Sequence, residues 1–205
     1  MSRPASDCAD AFVAHLKSLN LTRQKMEVLA RGRLLVRRDI EQAYEGLYLD
    51  AFTSMEHFLE QLFLGLLTAR WQLPVSKCVP RVIFRSPAVC RDVVIGGRPY
   101  VDWLPYEHTE KRAAAFFRNG LPFCSLQAAD KDAIRKCYHI RNAIAHGSDH
   151  AKSQFEAKVL GNARLLPRER TPAGYLRSQF LSSPPVTRYE GLALDMANVA
   201  LHLCH

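Results

Sequence analysis

The sequence lacks an apolar run of about 18 residues or more, and this argues against a transmembrane helix. Its first residues, MSRPASDCAD, contain no apolar stretch of the kind a secretory leader requires. Neither a GxxxxGK[ST] loop nor a GxGxxG fingerprint occurs, which excludes the usual phosphate-cradling and dinucleotide-binding loops. No internal repeat is visible, so a solenoid is excluded. The six cysteines, Cys8, Cys78, Cys90, Cys124, Cys137 and Cys204, include no CxxC pair. They read as buried thiols of a reducing compartment rather than as metal ligands or a disulfide framework. A soluble, cytoplasmic protein is expected, with no membrane partner and no cofactor.

Acidic residues are the minority, 20 against 28 Lys and Arg, for a net charge of +8. Such a balance suits a polyanionic partner such as RNA, although many proteins that bind no nucleic acid share it. A chain of 205 residues can bury one sizeable core, and the reading is one helical domain over residues 1–205 with an insertion at 73–106.

Helical periodicity dominates. Ser6 can cap a helix through about Leu19, with Asn20 ending it and Thr22 capping the next. From Thr22 to Glu45, Met26, Leu29, Leu34, Leu35 and Ile40 alternate with Arg23, Lys25, Arg31, Arg33, Arg37 and Arg38. This basic face reads as solvated rather than as an RNA groove. Tyr44–Trp71 is the most apolar helix, with a narrow polar strip carrying Glu56, His57 and Glu60. A carboxylate from that strip is a candidate supporting residue for a site elsewhere, and a solvent-facing role is the simpler alternative.

Between Leu73 and Tyr106 five prolines, Pro74, Pro80, Pro87, Pro99 and Pro105, exclude a long helix. Arg81–Arg85 and Asp92–Ile95 are rich in β-branched residues. Val93-Val94-Ile95, Gly96-Gly97 and Tyr100-Val101-Asp102-Trp103 predict a small hairpin turning at Gly-Gly. Helix Glu107–Arg118 follows, stopped by Asn119-Gly120. After the central motif, Ser148 can cap a helix to about Leu160, ended by Gly161. Leu165–Pro185 reads as a surface loop, and Thr187-Arg188-Tyr189-Glu190 fits a capping box opening a final helix.

The motif itself is Asp130–Gly147, DKDAIRKCYHIRNAIAHG. At about 100° per residue, Ala133, Cys137, Ile140 and Ile144 fall on one side and Arg135, His139, Asn142 and His146 on the other. Arg141 stands about 140° around from His146 and must extend its side chain to join it. Gly147 is a good residue to end the helix, which places His146 in its last turn. His146 and His150 have the spacing of a helical metal pair, but Gly147 interrupts the helix and no third ligand is evident, so no metal site is expected.

This combination suits metal-free RNA cleavage. That reaction requires a group to deprotonate the ribose 2′-OH, a group to protonate the leaving 5′-oxygen, and cations to offset charge on the phosphorane. An imidazole exchanges protons near neutrality, which suits His146. The planar fork of Arg141 can grip phosphate as Lys cannot, and Asn142 can orient the imidazole or donate to phosphate. His139 is a candidate supporting residue, and Arg135 and Lys136 are candidate RNA contacts. A symmetric dimer would bring two such motifs to one cleft.

Arg141-Asn142-Ala143-Ile144-Ala145-His146 resembles the Arg, polar residue, short gap and His signature of the HEPN superfamily (higher eukaryotes and prokaryotes nucleotide-binding domains). The resemblance spans about Tyr44–Leu160 outside the insertion. It implies a mainly α fold, an up-and-down helical bundle carrying the β-rich hairpin insertion. It also implies a homodimer with a composite, metal-independent ribonuclease site that leaves 2′,3′-cyclic phosphate and 5′-hydroxyl ends. Many such proteins are toxins, antiviral defence nucleases or parts of CRISPR effectors, so an antitoxin or defence-system partner is implied as well. The chain departs from the pattern in two places. Ser148 stands where some HEPN toxins carry a modifiable Tyr, and the insertion lies outside the minimal helical core. The alternatives are a non-catalytic HEPN-like module that binds a nucleotide, RNA or protein, and a nuclease acting on DNA.

Overall fold

Amphipathic stripes and local caps make 70% of the described residues helical. The computed structural model describes residues 2–98, 101–180 and 182–205. Among these, eight α-helices run in the order α1 (Ser6–Arg31), α2 (Arg37–Leu67), α3 (Pro87–Ile95), α4 (Tyr106–Phe116), α5 (Ala128–His146), α6 (Asp149–Phe155), α7 (Pro172–Arg177) and α8 (Arg188–Cys204). The described strands, β1 (Arg3–Pro4) and β2 (Trp71–Gln72), pair in parallel, Arg3 with Trp71 and Pro4 with Gln72. No helix among the described residues is long and apolar enough to cross a membrane.

The chain divides into two compact units, the first made of residues up to Val13, Ser54–Ile134 and Ala197–His205 and the second of Ala14–Thr53 and Arg135–Met196. In the first, Phe63 is the centre of an aromatic cluster, with ring centroids 5.0 Å from Trp103, 5.0 Å from Phe117, 5.1 Å from Phe123 and 5.9 Å from Phe116. Edge and tilted contacts of this kind add to the hydrophobic gain of burying the rings. Tyr106 donates to the Phe123 carbonyl at 2.9 Å and Thr109 to that of Trp103 at 2.5 Å, so the polar tips inside the cluster are satisfied. Gly65 lets the Trp71 indole lie against α2, and that indole donates to the Gln61 carbonyl at 3.1 Å.

The expected hairpin does not form. Val93, Val94 and Ile95 belong to α3, which Ser86 caps by accepting from the Val89 amide at 3.4 Å, with Pro87 in the first turn. Cys90 and Val94, four residues apart, are its buried residues; this helical stripe outweighs the strand preference of β-branched side chains. Gly96, at φ 64°, ends the helix where a hairpin turn was expected. Val101–Trp103 lie in no strand, and Tyr100, assigned to the second arm, lies outside the described residues, as does Pro99. Arg81–Arg85 is likewise irregular; next to it Pro80 forms an isolated bridge with Phe117. The insertion is therefore not β-rich.

Further boundaries move for identifiable reasons. Helix α1 runs through Asn20 and Thr22 because both side chains find partners inside it. Asn20 accepts from Arg23 Nε at 2.8 Å, and the Thr22 hydroxyl donates to the Ser18 carbonyl at 3.2 Å. The break comes later, around Arg33 at φ 60°. The region expected to be a loop, Leu165–Pro185, contains α7, capped by Thr171 accepting from the Gly174 amide at 3.1 Å; Leu181 lies outside the described residues. The capping box at Thr187 forms, with Glu190 Oε2 accepting from the Thr187 amide at 2.8 Å and the Thr187 hydroxyl accepting from the Glu190 amide at 3.2 Å.

In the second unit, Tyr44 and Tyr189 meet edge to face at 5.9 Å, and Phe155 and Tyr175 do the same at 5.9 Å. Tyr48, wholly buried, donates to the Cys137 carbonyl at 3.0 Å and ties α2 to α5. The packed stripe of α5 is Ile134, Cys137, Ile140 and Ala143, with Ala133 and Ile144 only half-buried on its flanks. Cys137 and Ile140 belong to both stripes, and Ile134 and Ala143 take the places expected of Ala133 and Ile144.

Candidate functional site

The last two turns of α5 carry the chemically loaded residues, and the helix ends where Gly147 adopts φ 57°. Ser148 then caps α6 by accepting from the Ala151 amide at 3.2 Å. His146 and the turn after it are exposed, while Arg141 and Asn142 are half-buried. Beneath Arg141 lies the buried ring of Phe52, 5.9 Å from the guanidinium carbon. An aromatic face supports a cation and restricts its rotamers.

Arg141 Nη1 is 3.0 Å from His146 Nε2, and the same nitrogen donates to Asn142 Oδ1 at 3.1 Å. A guanidinium can only donate, so Nε2 accepts and the imidazole carries its proton on Nδ1 in this arrangement. The extended reach expected of Arg141 is thus present. The expected role of Asn142 changes: its amide oxygen holds the guanidinium, not the imidazole. Both hydrogens of Nη1 are engaged, which leaves Nε and Nη2 of Arg141 as donors for a ligand.

His139 lies two turns before His146 on the same helix face. Burial, reinforced by the charges of Lys158 and Arg135, pushes its pKa below the ordinary imidazole value. Of the expected RNA contacts, Arg135 is exposed, while Lys136 is half-buried with its ammonium 5.5 Å from the Tyr175 ring centroid. The carboxylates expected to support the site belong to the first unit. Glu60 is engaged there by Arg91 at 3.0 Å and by the Trp103 indole at 3.2 Å, and Glu56 is half-buried on the same helix. His150 is exposed, and the described residues contain no group of three or more side chains able to hold a metal ion.

Phe52 and Lys158 escaped the sequence reading. Phe52 is one of several aromatic residues along α2, where nothing marks one ring as a support for a cation. The effect of Lys158 on His139 depends on the return of the chain after α5. Comparison with protein-family models, with curated proteins and with solved structures finds no significant match to this chain.

Proposed function

We propose that the chain is a metal-independent endoribonuclease of HEPN type that works as a homodimer, in the manner of a toxin or phage-defence effector. The observation that carries this reading is the contact of Arg141 with His146. A base and a phosphate-binding cation are held together at a helix end open to solvent.

The arrangement suggests an order of events. An incoming phosphodiester draws the Arg141 fork onto its oxygens and so releases the lone pair of His146 Nε2. Nε2 takes the proton of the 2′-OH, O2′ attacks phosphorus, and the bond from phosphorus to O5′ breaks. O5′ receives a proton from the His146 imidazolium of a second copy, giving a 2′,3′-cyclic phosphate and a 5′-hydroxyl. The net positive charge supports an RNA substrate.

The test is incubation of wild type, Arg141→Ala and His146→Ala with total RNA and tRNA in EDTA, followed by mapping of the ends. Cyclic-phosphate ends made by the wild type alone are expected. If mixing His146→Ala with wild type lowers cleavage below the share of wild-type protein present, the site is shared between copies. Folded proteins with no cleavage in any case would favour the alternative, an HEPN-like module that binds RNA, a nucleotide or a protein without catalysis.

A further inference from the structure

The second unit holds a second cluster of charged side chains that shares no residue with Arg141, Asn142 or His146. Arg23 is 5% exposed, and its Nη2 donates to Glu190 Oε1 at 2.6 Å and its Nη1 to the Tyr44 hydroxyl at 3.0 Å. That hydroxyl donates to Glu27 Oε1 at 3.0 Å, and Arg177 grips both oxygens of Glu27, at 2.8 and 3.2 Å. Arg23, Glu27, Arg177 and Glu190 line a cleft of about 690 Å³, bounded also by Gln24, Arg31 and Gln179. Arg177 is shared with an adjoining cleft of about 310 Å³ whose lining includes Arg37, Glu41, Arg168 and Glu169. Their sizes are those of small-molecule sites, not of an extended groove.

The hydrogen-bond inventory shows what such a site can accept. Every carboxylate in the lining already has a partner. Glu27 and Glu190 are held as above, Glu41 takes Arg37 Nε at 2.6 Å, and Glu169 takes the Leu166 amide at 3.0 Å. Donors remain over. Arg31 gives only its Nε, to the Glu27 carbonyl at 3.3 Å, so both of its Nη groups are unengaged among the described residues. Nη1 of Arg177 is unengaged in the same sense, and so is the exposed guanidinium of Arg168. Unused guanidinium donors beside carboxylates that already have partners select a ligand rich in acceptors and negative charge. The pair of buried Arg23 with Glu190 and the half-buried Arg177–Glu27 pair fix this part of the wall, so Arg177 is held in place for a ligand.

We infer that these two clefts form one binding site for a small polyphosphate, with phosphoryl groups received by Arg31, Arg177 and Arg168. Arg31 and Arg168 are exposed, so replacing them leaves the Arg23–Glu190 and Arg177–Glu27 pairs intact.

Isothermal titration with inorganic tripolyphosphate in about 150 mM salt, a level that screens loose surface attraction, tests this. Saturable one-to-one binding by wild type and by His146→Ala is expected. A loss of at least about tenfold in affinity is expected in the Arg31→Ala/Arg168→Ala protein, with its melting temperature unchanged. Adenosine triphosphate run in parallel separates the sources. Tighter binding than tripolyphosphate assigns the site to an organic polyphosphate, and equal binding to an inorganic one. No saturable binding by the wild type overturns the inference, as does affinity indifferent to the double substitution. Competition by unstructured RNA in proportion to its length would also overturn it, since that marks general polyelectrolyte attraction.

Discussion

The guanidinium of Arg141 reaches the imidazole of His146 across five residues of one helix and closes to 3.0 Å. Ideal helix geometry places the two positions about 140° apart, so only an extended Arg side chain can bridge them. Lys lacks the fork that lets one nitrogen serve Asn142 and His146 while another stays available for phosphate. His146→Ala should therefore lower RNA cleavage by about 10²–10⁴-fold, and Arg141→Lys should fail to restore Arg141→Ala. Single-turnover cleavage beside circular dichroism checks both. Equal activity of the Lys and Arg proteins would show that only charge matters.

Asn142 acts on the guanidinium, so Asn142→Ala should leave the fold unchanged and loosen Arg141. A fall of about tenfold in cleavage is expected, the scale of one hydrogen bond to a charged group. A parallel loss of melting temperature would instead make Asn142 a structural residue.

His139 should titrate below an ordinary imidazole because burial, Lys158 and Arg135 all disfavour its protonated form. It is then neutral at pH 7, and its contribution to stability falls as pH drops below the ordinary imidazole value of 6.5, where the unfolded chain binds the proton more readily. Lys158→Gln should move the titration upward in NMR spectra. No movement would leave burial as the sole cause.

Glu27 and Glu190 have depressed pKa values. Burial alone would raise both, but hydrogen bonds and charge from Arg177, Tyr44 and Arg23 outweigh it for Glu27, and Thr187, Arg23 and Asn20 do so for Glu190. Since the folded values lie below the ordinary glutamate value of 4.5, the stability these groups contribute is present above that pH. It is lost as pH falls through the folded values. Acid unfolding of Glu190→Gln followed by fluorescence should be flatter below pH 4.5 than that of wild type. A curve of unchanged steepness would assign acid sensitivity to other carboxylates.

Two glycines of α2 should respond in opposite ways to alanine. A Cβ on Gly65 would stand 1.9 Å from Trp71 Cδ1, so Gly65→Ala must displace the indole and should cost about 1–3 kcal/mol. A Cβ on Gly46 meets nothing within 4 Å, so Gly46→Ala should stabilise by about 0.5–1 kcal/mol. Thermal melts of the two proteins decide the matter, and shifts of the same sign would contradict the packing described for Trp71.

The scattered cysteines read as buried thiols, and all but half-buried Cys124 are buried. Burial pushes Cys8, Cys78 and Cys90 up to about 11 and Cys137 and Cys204 up to about 12. Thiolate is the reactive form, so iodoacetamide near neutral pH should label the native protein slowly, with half-buried Cys124 first, and fully only after denaturation. Rapid labelling of any buried cysteine without denaturant would show local opening.

Much was legible in the sequence because it depends on neighbours along the chain. The motif helix, its end at Gly147, the cap at Ser148 and the capping box at Thr187 all rest on spacings of a few residues. The reach from Arg141 to His146 followed from the same geometry. The local signal failed at Val93–Ile95, where β-branched residues and a Gly-Gly pair spelled a hairpin. There, burial of Cys90 and Val94 on one side of a short helix decided otherwise.

The sequence by itself thus determined that this is a helical protein with an Arg and a His at the end of one helix. Only the tertiary structure decided which charges are buried and which are left with donors to offer. Arg23 looked like one more member of a solvated basic face, yet it pairs with Glu190, 167 residues away, as Arg177 pairs with Glu27 at a separation of 150. Helical periodicity shows which side of a helix a charge occupies. Its partner depends on where the chain returns, and long-range packing sets that.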